Sequence, residues 1–406
     1  MMTRLARRFD AKSLIFAVRS LRHPRGSVQY VLVALVAAVV TFLVVPLVRW
    51  LAFRTNQVVQ PGGRMAHLKP TPTLGGIGML VGFAAAIGVG SLMHSFRPVF
   101  IDSSEPTGVL LAAIAITGIG VVDDVWNLSA PAKVAGQVLS ASLLWIFGVT
   151  MFWFKVPFAG IVVLSNSLTP LLTAIWVIAM ENAINLIDGL DGLASGIVAI
   201  ASLAFGLYSL RLEALGQLPS SSIGPIIAFA VLGVCVGFLP HNWNPAKIFM
   251  GDTGAMLLGL LLAASTSVVG GRTANVSDQT FFFFAPLVIP FVILGVPMAD
   301  LVFSVLRRTA HHVSFATPDK KHLHHRLMEM GHGPRRSVAI LWAWTAILSA
   351  FALLPTYVSG LGFELPIAVA AVGVLLYTLF HPDLKGTHSR SGRAMQVIRR
   401  KDAGTD

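Results

Sequence analysis

The chain has 406 residues, 55% of them apolar and only 12% charged, with a mean hydropathy of +0.76; an average soluble chain is about a quarter charged. Uncharged runs of about 20 residues, each long enough to cross a ~30 Å hydrocarbon core, recur along nearly the whole length. They exclude one soluble core, a coiled coil and a disordered chain, and the net charge of +12 then marks one membrane face rather than a nucleic-acid surface.

In chain order, cutting at polar, Gly and Pro clusters gives eleven candidate spans: 29–51, 74–94, 107–122, 134–152, 168–188, 190–210, 223–240, 253–269, 282–306, 338–358 and 363–381. The third and eighth are short. The expected fold is an all-α polytopic membrane protein of about eleven transmembrane helices over residues 29–381. A basic segment, 1–28, precedes them, and a basic tail, 382–406, reads as disordered chain near anionic lipid. The apolar stretch Leu14 to Val18 is too brief for a cleavable signal peptide. No repeat of 20–50 residues is visible, so a solenoid is not indicated. The single Cys235 lies inside an apolar run and allows neither an intrachain disulfide nor a thiolate cluster.

Lysines and arginines set the orientation. The odd-numbered connections and the tail carry 18, the alternate connections only Arg97, Lys155, Arg211 and Arg272, so the first group is expected in the cytoplasm. Residues 1–28 hold seven bases on the opposite side of this scheme, outweighed in this reading by the ninth connection and the tail. On the far side, Lys155 to Asn166 places β-branched residues around an Ala-Gly pair and is expected to form a short external hairpin.

Acids beside membrane spans are costly, and here they fall on one side: Asp123 and Asp124 end the third span, Asp188 and Asp191 lie between the fifth and sixth, and Asp252 opens the eighth. With Lys69, Lys133, Lys247 and the histidines of the ninth connection, they describe a site for a divalent cation and a polyanion. Mg²⁺ suits it, since that ion takes one or two carboxylates together with phosphate and water. In NAINLIDGLDGLASG, Asn182, Asn185, Asp188 and Asp191 recur every three residues, so a continuous helix would turn Asn182 and Asp191 about 180° apart. Gly189 and Gly192 permit the break that reunites them.

In HNWNPAKIFMGDTGAMLLG, glycines flank Asp252 and the helix that follows offers backbone N–H groups to a phosphate. Phe249 there is either a base-stacking ring or an interfacial anchor. The turn HLKPTPTLGGIG joins a base to a rigid Pro-Thr-Pro-Thr segment, and PDKKHLHHRL sets His322, His324, His325 and Arg326 as an anion-facing strip. Asp300 falls on the face leading to that strip, and Glu181 is read as a partner for a neighbouring polar group.

Taken together, DGLDGLA with its upstream Asn pair, FMGDTGAMLLG, PTPTLGG, GIGVVDD and HLHHR closely resemble the polyprenyl-phosphate N-acetylhexosamine-1-phosphate transferases over residues 54–332. The resemblance implies a cytoplasmic active-site cleft in a bacterial plasma membrane. There a polyprenyl phosphate attacks the β-phosphorus of a UDP-amino sugar with Mg²⁺ assistance, Mn²⁺ being a substitute, and UMP leaves. It implies Asp252 as the metal ligand, Asp123 and Asp124 as the pair of which one handles the lipid phosphate, and Asp191, Asn242 and Phe249 as uracil-holding positions. Lys69 and Lys133 correspond to bases near the phosphates, and Asn182, Asn185 and Asp188 to cleft residues.

Two departures select a branch: HLHHR replaces three consecutive histidines followed by an aromatic and an acid, and Asn127 stands where a lysine follows the acidic pair in the muramoyl-pentapeptide enzymes. The expected donor is therefore UDP-N-acetylglucosamine, for a cell-wall or surface polysaccharide. The alternatives are a phospho-N-acetylmuramoyl-pentapeptide transferase and a transporter of anionic solutes. The partners expected are the donor, the lipid phosphate and the bilayer, with no nucleic acid and with a homodimer left open.

Overall fold

Apolar runs ended by Pro, Gly and Asn become helices wherever the chain is described in the computed structural model, which covers residues 27–59, 70–151, 153–156, 160–270, 295, 327–328, 330–357 and 364–380. Among the described residues eleven α-helices are delimited: α1 Ser27–Arg54, α2 Gly75–Leu92, the short α3 Arg97–Ile101, α4 Glu105–Trp126, α5 Ala130–Ile146 and α6 Leu168–Ile187. Then come α7 Leu193–Ala214, α8 Gly224–Asn242, α9 Gly251–Gly270, α10 Pro334–Tyr357 and α11 Glu364–Phe380. Eight of them are long and apolar enough to cross a membrane; α5 and α11 have 17 residues each. Ten of the eleven expected spans thus coincide with helices, and the ninth, 282–306, lies outside the described residues apart from residue 295.

The two spans read as short are full length. Their apolar runs stop at Asp123 and Asp252, but α4 has 22 residues and α9 has 20, because each helix carries its acids inside its last or first turn. Local chemistry explains several of the ends. Proline stands in the first turn of α4, α5 and α8, where its missing N–H costs no helical bond. Asn127 closes α4 in the left-handed region, at φ 51°, with its N–H donating to Asp123 O at 2.8 Å.

Helix α9 is the axis of the bundle. It packs against α2, α4, α5, α6, α7 and α8, while α1 covers α2 and α8 from outside and α10 lies on α7 and α11. The expected hairpin is present: β3 Trp153–Val156 pairs antiparallel with β4 Gly160–Val163, Trp153 opposite Val163. A smaller pair joins β1 Val58–Val59 to β2 Thr71–Pro72. Cys235 is buried.

Helices α4 to α9 alternate in direction, so the C-terminal ends of α4, α6 and α8 and the N-terminal ends of α5, α7 and α9 gather at one end of the bundle. Every described sequence motif lies at that end. The β3–β4 hairpin, between the other ends of α5 and α6, is at the opposite one.

Candidate active site

The first half of the site comes from α4, α5, α6 and α9. Lys133, in the first turn of α5, places its ammonium between Asp123 and Asp252: Nζ is 2.8 Å from Asp123 Oδ2, and it also pairs with Asp252 Oδ2. Asp252 accepts from Asn185 Nδ2 on its other oxygen at 2.6 Å. Asp123 additionally accepts from Leu128 N at 2.8 Å. One lysine therefore ties the carboxylates of two helices into a strip that is only part-buried.

Asp124 behaves differently. Its carboxylate caps α9 from a neighbouring helix, accepting from Asp252 N at 3.0 Å and from Thr253 N and Oγ1 at 3.2 and 2.5 Å. These are the N–H groups the sequence reading offered to a phosphate, and that expectation is corrected: a carboxylate of the protein already satisfies the first orphan donors of the helix. The adjacent Gly251 has φ +68°, and a side chain there would run into the Asp124 carboxylate.

The second half is the turn between α6 and α7. The expected break is found: α6 ends at Ile187, α7 begins at Leu193, and Gly192 takes φ +75°. It brings Asp188 and Asp191 to the same end of the bundle as Asp252. Asp188 sits half-buried amid Asp252, Asp124 and Asp191, and its pKa is pushed up to about 8, first by burial and then by those three charges. Asp191 Oδ2 accepts from Asn244 Nδ2 at 2.9 Å and from Ala246 N at 3.0 Å. Asn242 is buried and holds the turn to the loop, its Oδ1 accepting from Gly192 N at 2.9 Å and its Nδ2 donating to Ile248 O at 3.0 Å. Phe249 is half-buried, with its backbone clamped between the Pro-Thr-Pro-Thr segment and the start of α2: Phe249 N donates to Pro72 O at 2.9 Å and Gly75 N to Phe249 O at 3.0 Å.

Asn182 points along α5, donating to Gln137 Oε1 at 3.2 Å and to Ile178 O at 2.7 Å. Glu181, fully buried, takes the partner expected of it, accepting from Ser140 Oγ at 3.2 Å. Lys69, His322, His324, His325 and Arg326 lie outside the described residues, as do Asp300 and most of the ninth connection.

Four participants were missed in the sequence. Thr253, Gln137 and Asn244 sit inside or one helical turn beyond segments already singled out, so spacing could have found them. Arg335, which donates to Asn244, lies beyond the last motif and gave no such signal.

The oxygen donors suit a hard cation. Among the described residues no three His, Cys, Asp or Glu side chains make a ready cage, which is no obstacle to Mg²⁺, because that ion fills most of its octahedron with phosphate and water. Carboxylates at one end of the bundle, rather than at mid-depth between repeated halves, are also unlike a transporter's central site.

Residues 106–270 match the model of the family described as Glycosyl transferase family 4. The chain is 38% identical over 332 residues to the decaprenyl-phosphate N-acetylglucosaminephosphotransferase of Mycobacterium tuberculosis, covering 79% of this chain and 81% of that one. It is 34% identical over 326 residues to the probable undecaprenyl-phosphate N-acetylglucosaminyl 1-phosphate transferase of Bacillus subtilis, 80% and 84% of the two chains. To the phospho-N-acetylmuramoyl-pentapeptide-transferase of Desulforudis audaxviator it is 33% identical over 351 residues, 79% and 97% of the two chains.

Proposed function

Given that the chain belongs to the polyprenyl-phosphate N-acetylhexosamine-1-phosphate transferases, we propose that it moves N-acetylglucosamine-1-phosphate from UDP-N-acetylglucosamine to a polyprenyl phosphate. An oxygen of the lipid phosphate forms a bond to the β-phosphorus, the bond from that phosphorus to the bridging oxygen breaks, and UMP departs. The observation that carries the proposal is Lys133 suspended between Asp123 and Asp252. Phosphoryl transfer asks a protein chiefly for positioning and charge neutralisation, and a cation poised among carboxylates at the bundle's end supplies both.

Asp252 is the residue that would hold Mg²⁺, with Asn185 fixing its orientation; the bound ion would neutralise charge on the donor diphosphate. Asp123 is the member of the acidic pair that serves the lipid phosphate, since Asp124 is engaged in capping α9. The carboxylates keep Lys133 in place until substrate phosphates compete for its ammonium. Asp191 and Phe249 receive the uracil, with Asn242 holding the backbone that presents them. The site faces the cytoplasm of a bacterial plasma membrane, because the connections at this end carry the excess lysine and arginine.

The test is direct. Purified protein with Mg²⁺ and a polyprenyl phosphate should release UMP from UDP-N-acetylglucosamine, without any ion gradient, and do so far faster than from UDP-N-acetylmuramoyl-pentapeptide. Preference for the pentapeptide donor would move the chain to the other branch, and no UMP from either would end the transferase reading. Orientation is tested separately by single cysteines. One near Arg307 should be shielded from an impermeant thiol reagent in intact cells and one near Asn166 should react, against the low background of a single buried Cys235.

A further inference from the structure

Helix α10 reaches the nucleotide end of the site through its first turn. There Arg335 grips one residue twice: Nε donates to Asn244 Oδ1 at 3.0 Å and Nη2 to Asn244 O at 2.8 Å. Asn244 in turn donates through Nδ2 to Asp191 Oδ2 at 2.9 Å. We infer that Arg335 is a positioning residue for the nucleotide, acting through Asn244 to hold Asp191 in the orientation that receives the base. The inference rests on the transferase reading above.

The chemistry of the three groups makes the chain directional. A guanidinium only donates, an ionised carboxylate only accepts, and a carboxamide does both but can face either way. By claiming Oδ1, Arg335 turns the amide so that Nδ2 points at Asp191. Without it, the amide is free to present its oxygen to the carboxylate and repel it. The backbone bond from Asn244 O pins the loop as well as the side chain, and Ala246 N then meets the same Asp191 oxygen at 3.0 Å.

A second contact from the same helix follows two turns later. Trp342 Nε1 donates to Leu193 O at 3.3 Å, and its ring meets Trp243 edge-on, 5.7 Å between centroids. Helix α10 thus touches both the Asp188–Leu193 turn and the loop that bears Asn244. In sequence it begins eight residues after Arg326, the end of the histidine strip.

The experiment is steady-state kinetics of detergent-purified Arg335→Ala, Arg335→Lys, Asn244→Ala and the double alanine variant, read as UMP release. In Arg335→Ala the KM for UDP-N-acetylglucosamine should rise about tenfold with kcat within about twofold, the loss of ground-state binding expected when a charged hydrogen bond is removed. Competitive inhibition by UMP should weaken by the same factor, while the KM for the lipid phosphate stays put. Arg335→Lys, with one prong, should fall between, and the double variant should lose less than the sum of the two single losses, because the side-chain bond is shared and only the bond to the residue-244 backbone is left to lose.

An unchanged donor KM and UMP inhibition, a fall in kcat alone, or additive losses in the double variant would each overturn the role of Arg335. Should Arg335→Ala not be recovered folded, Arg335→Lys against Asn244→Ala decides by the same criteria. Wild-type protein that releases no UMP would instead sink the transferase reading itself.

Discussion

Helices α1 and α9 invert the usual relation between apolarity and burial. The apolar stretch of α1 has a mean hydropathy of 3.0 and is 28% buried; that of α9 has 1.5 and is 94% buried. In a bilayer the lipid is as apolar as leucine, so a greasy helix gains nothing by moving inward, and close packing with hydrogen bonds decides the centre. Helix α9 is accordingly built of small and hydroxyl residues. Ser265 donates to Gly224 O at 2.8 Å, and Thr266 accepts from Trp176 Nε1 at 3.0 Å. Of the eight, the most apolar helix is the wrapper, and the helix that bears Asp252 is among the least apolar.

That contrast is broken most severely at Asp252. Asp252→Asn should lower turnover by about 10²-fold or more, as removal of a group facing developing charge does, while the detergent-extracted protein keeps its elution volume. Near-normal UMP release at saturating Mg²⁺ would remove Asp252 from the site.

Next in size is a pair of glycines two residues apart on α4. A Cβ on Gly120 would meet the backbone of Thr253 on α9, whereas one on Gly118 would meet nothing within 4 Å. Gly120→Ala should cost about 1–3 kcal/mol of stability by overpacking, and Gly118→Ala should be neutral or gain up to about 1 kcal/mol of helix propensity. Thermal unfolding in detergent measures both, and equal midpoints would contradict the close approach of α4 to α9.

A third measurement is one of slope. The Asp188 pKa rises from the ordinary 3.8 to about 8 in the folded protein. Between those values the folded state keeps a proton that the unfolded chain releases, so this residue's contribution to stability is present at low pH and is lost as pH climbs from about 4 to about 8. In EDTA, the unfolding midpoint should fall with pH across that window more steeply for the wild type than for Asp188→Asn. Identical slopes would show that Asp188 is not desolvated among its neighbours.

The smallest effect belongs to the wrapper. Leu43 on α1 is 66% exposed, and Leu43→Ala should change stability by less than about 0.5 kcal/mol. A loss comparable to that of Gly120→Ala would mean that the outer face of α1 is covered by something other than lipid.

Much of this molecule is determined by the sequence alone, because the determinants are local. Hydrophobic length sets the helices, prolines and Asn127 mark several of their ends, Gly192 makes the break between α6 and α7, and the excess of lysine and arginine distinguishes the two faces. The spacing of acids along the chain is enough to place Asp123, Asp124, Asp188, Asp191 and Asp252 at one end of the bundle. Partnership is decided only in three dimensions. Lys133 and Asp252 are 119 residues apart, and Asp124 and Thr253 are 129 apart. Nothing in the run GIGVVDD separates an aspartate that pairs with a lysine from its neighbour that caps a helix; the 100° turn between consecutive helical residues does so, by aiming one at α5 and the other at α9. Arg335 shows the same dependence, since its role exists only because α10 folds back against the loop holding Asn244.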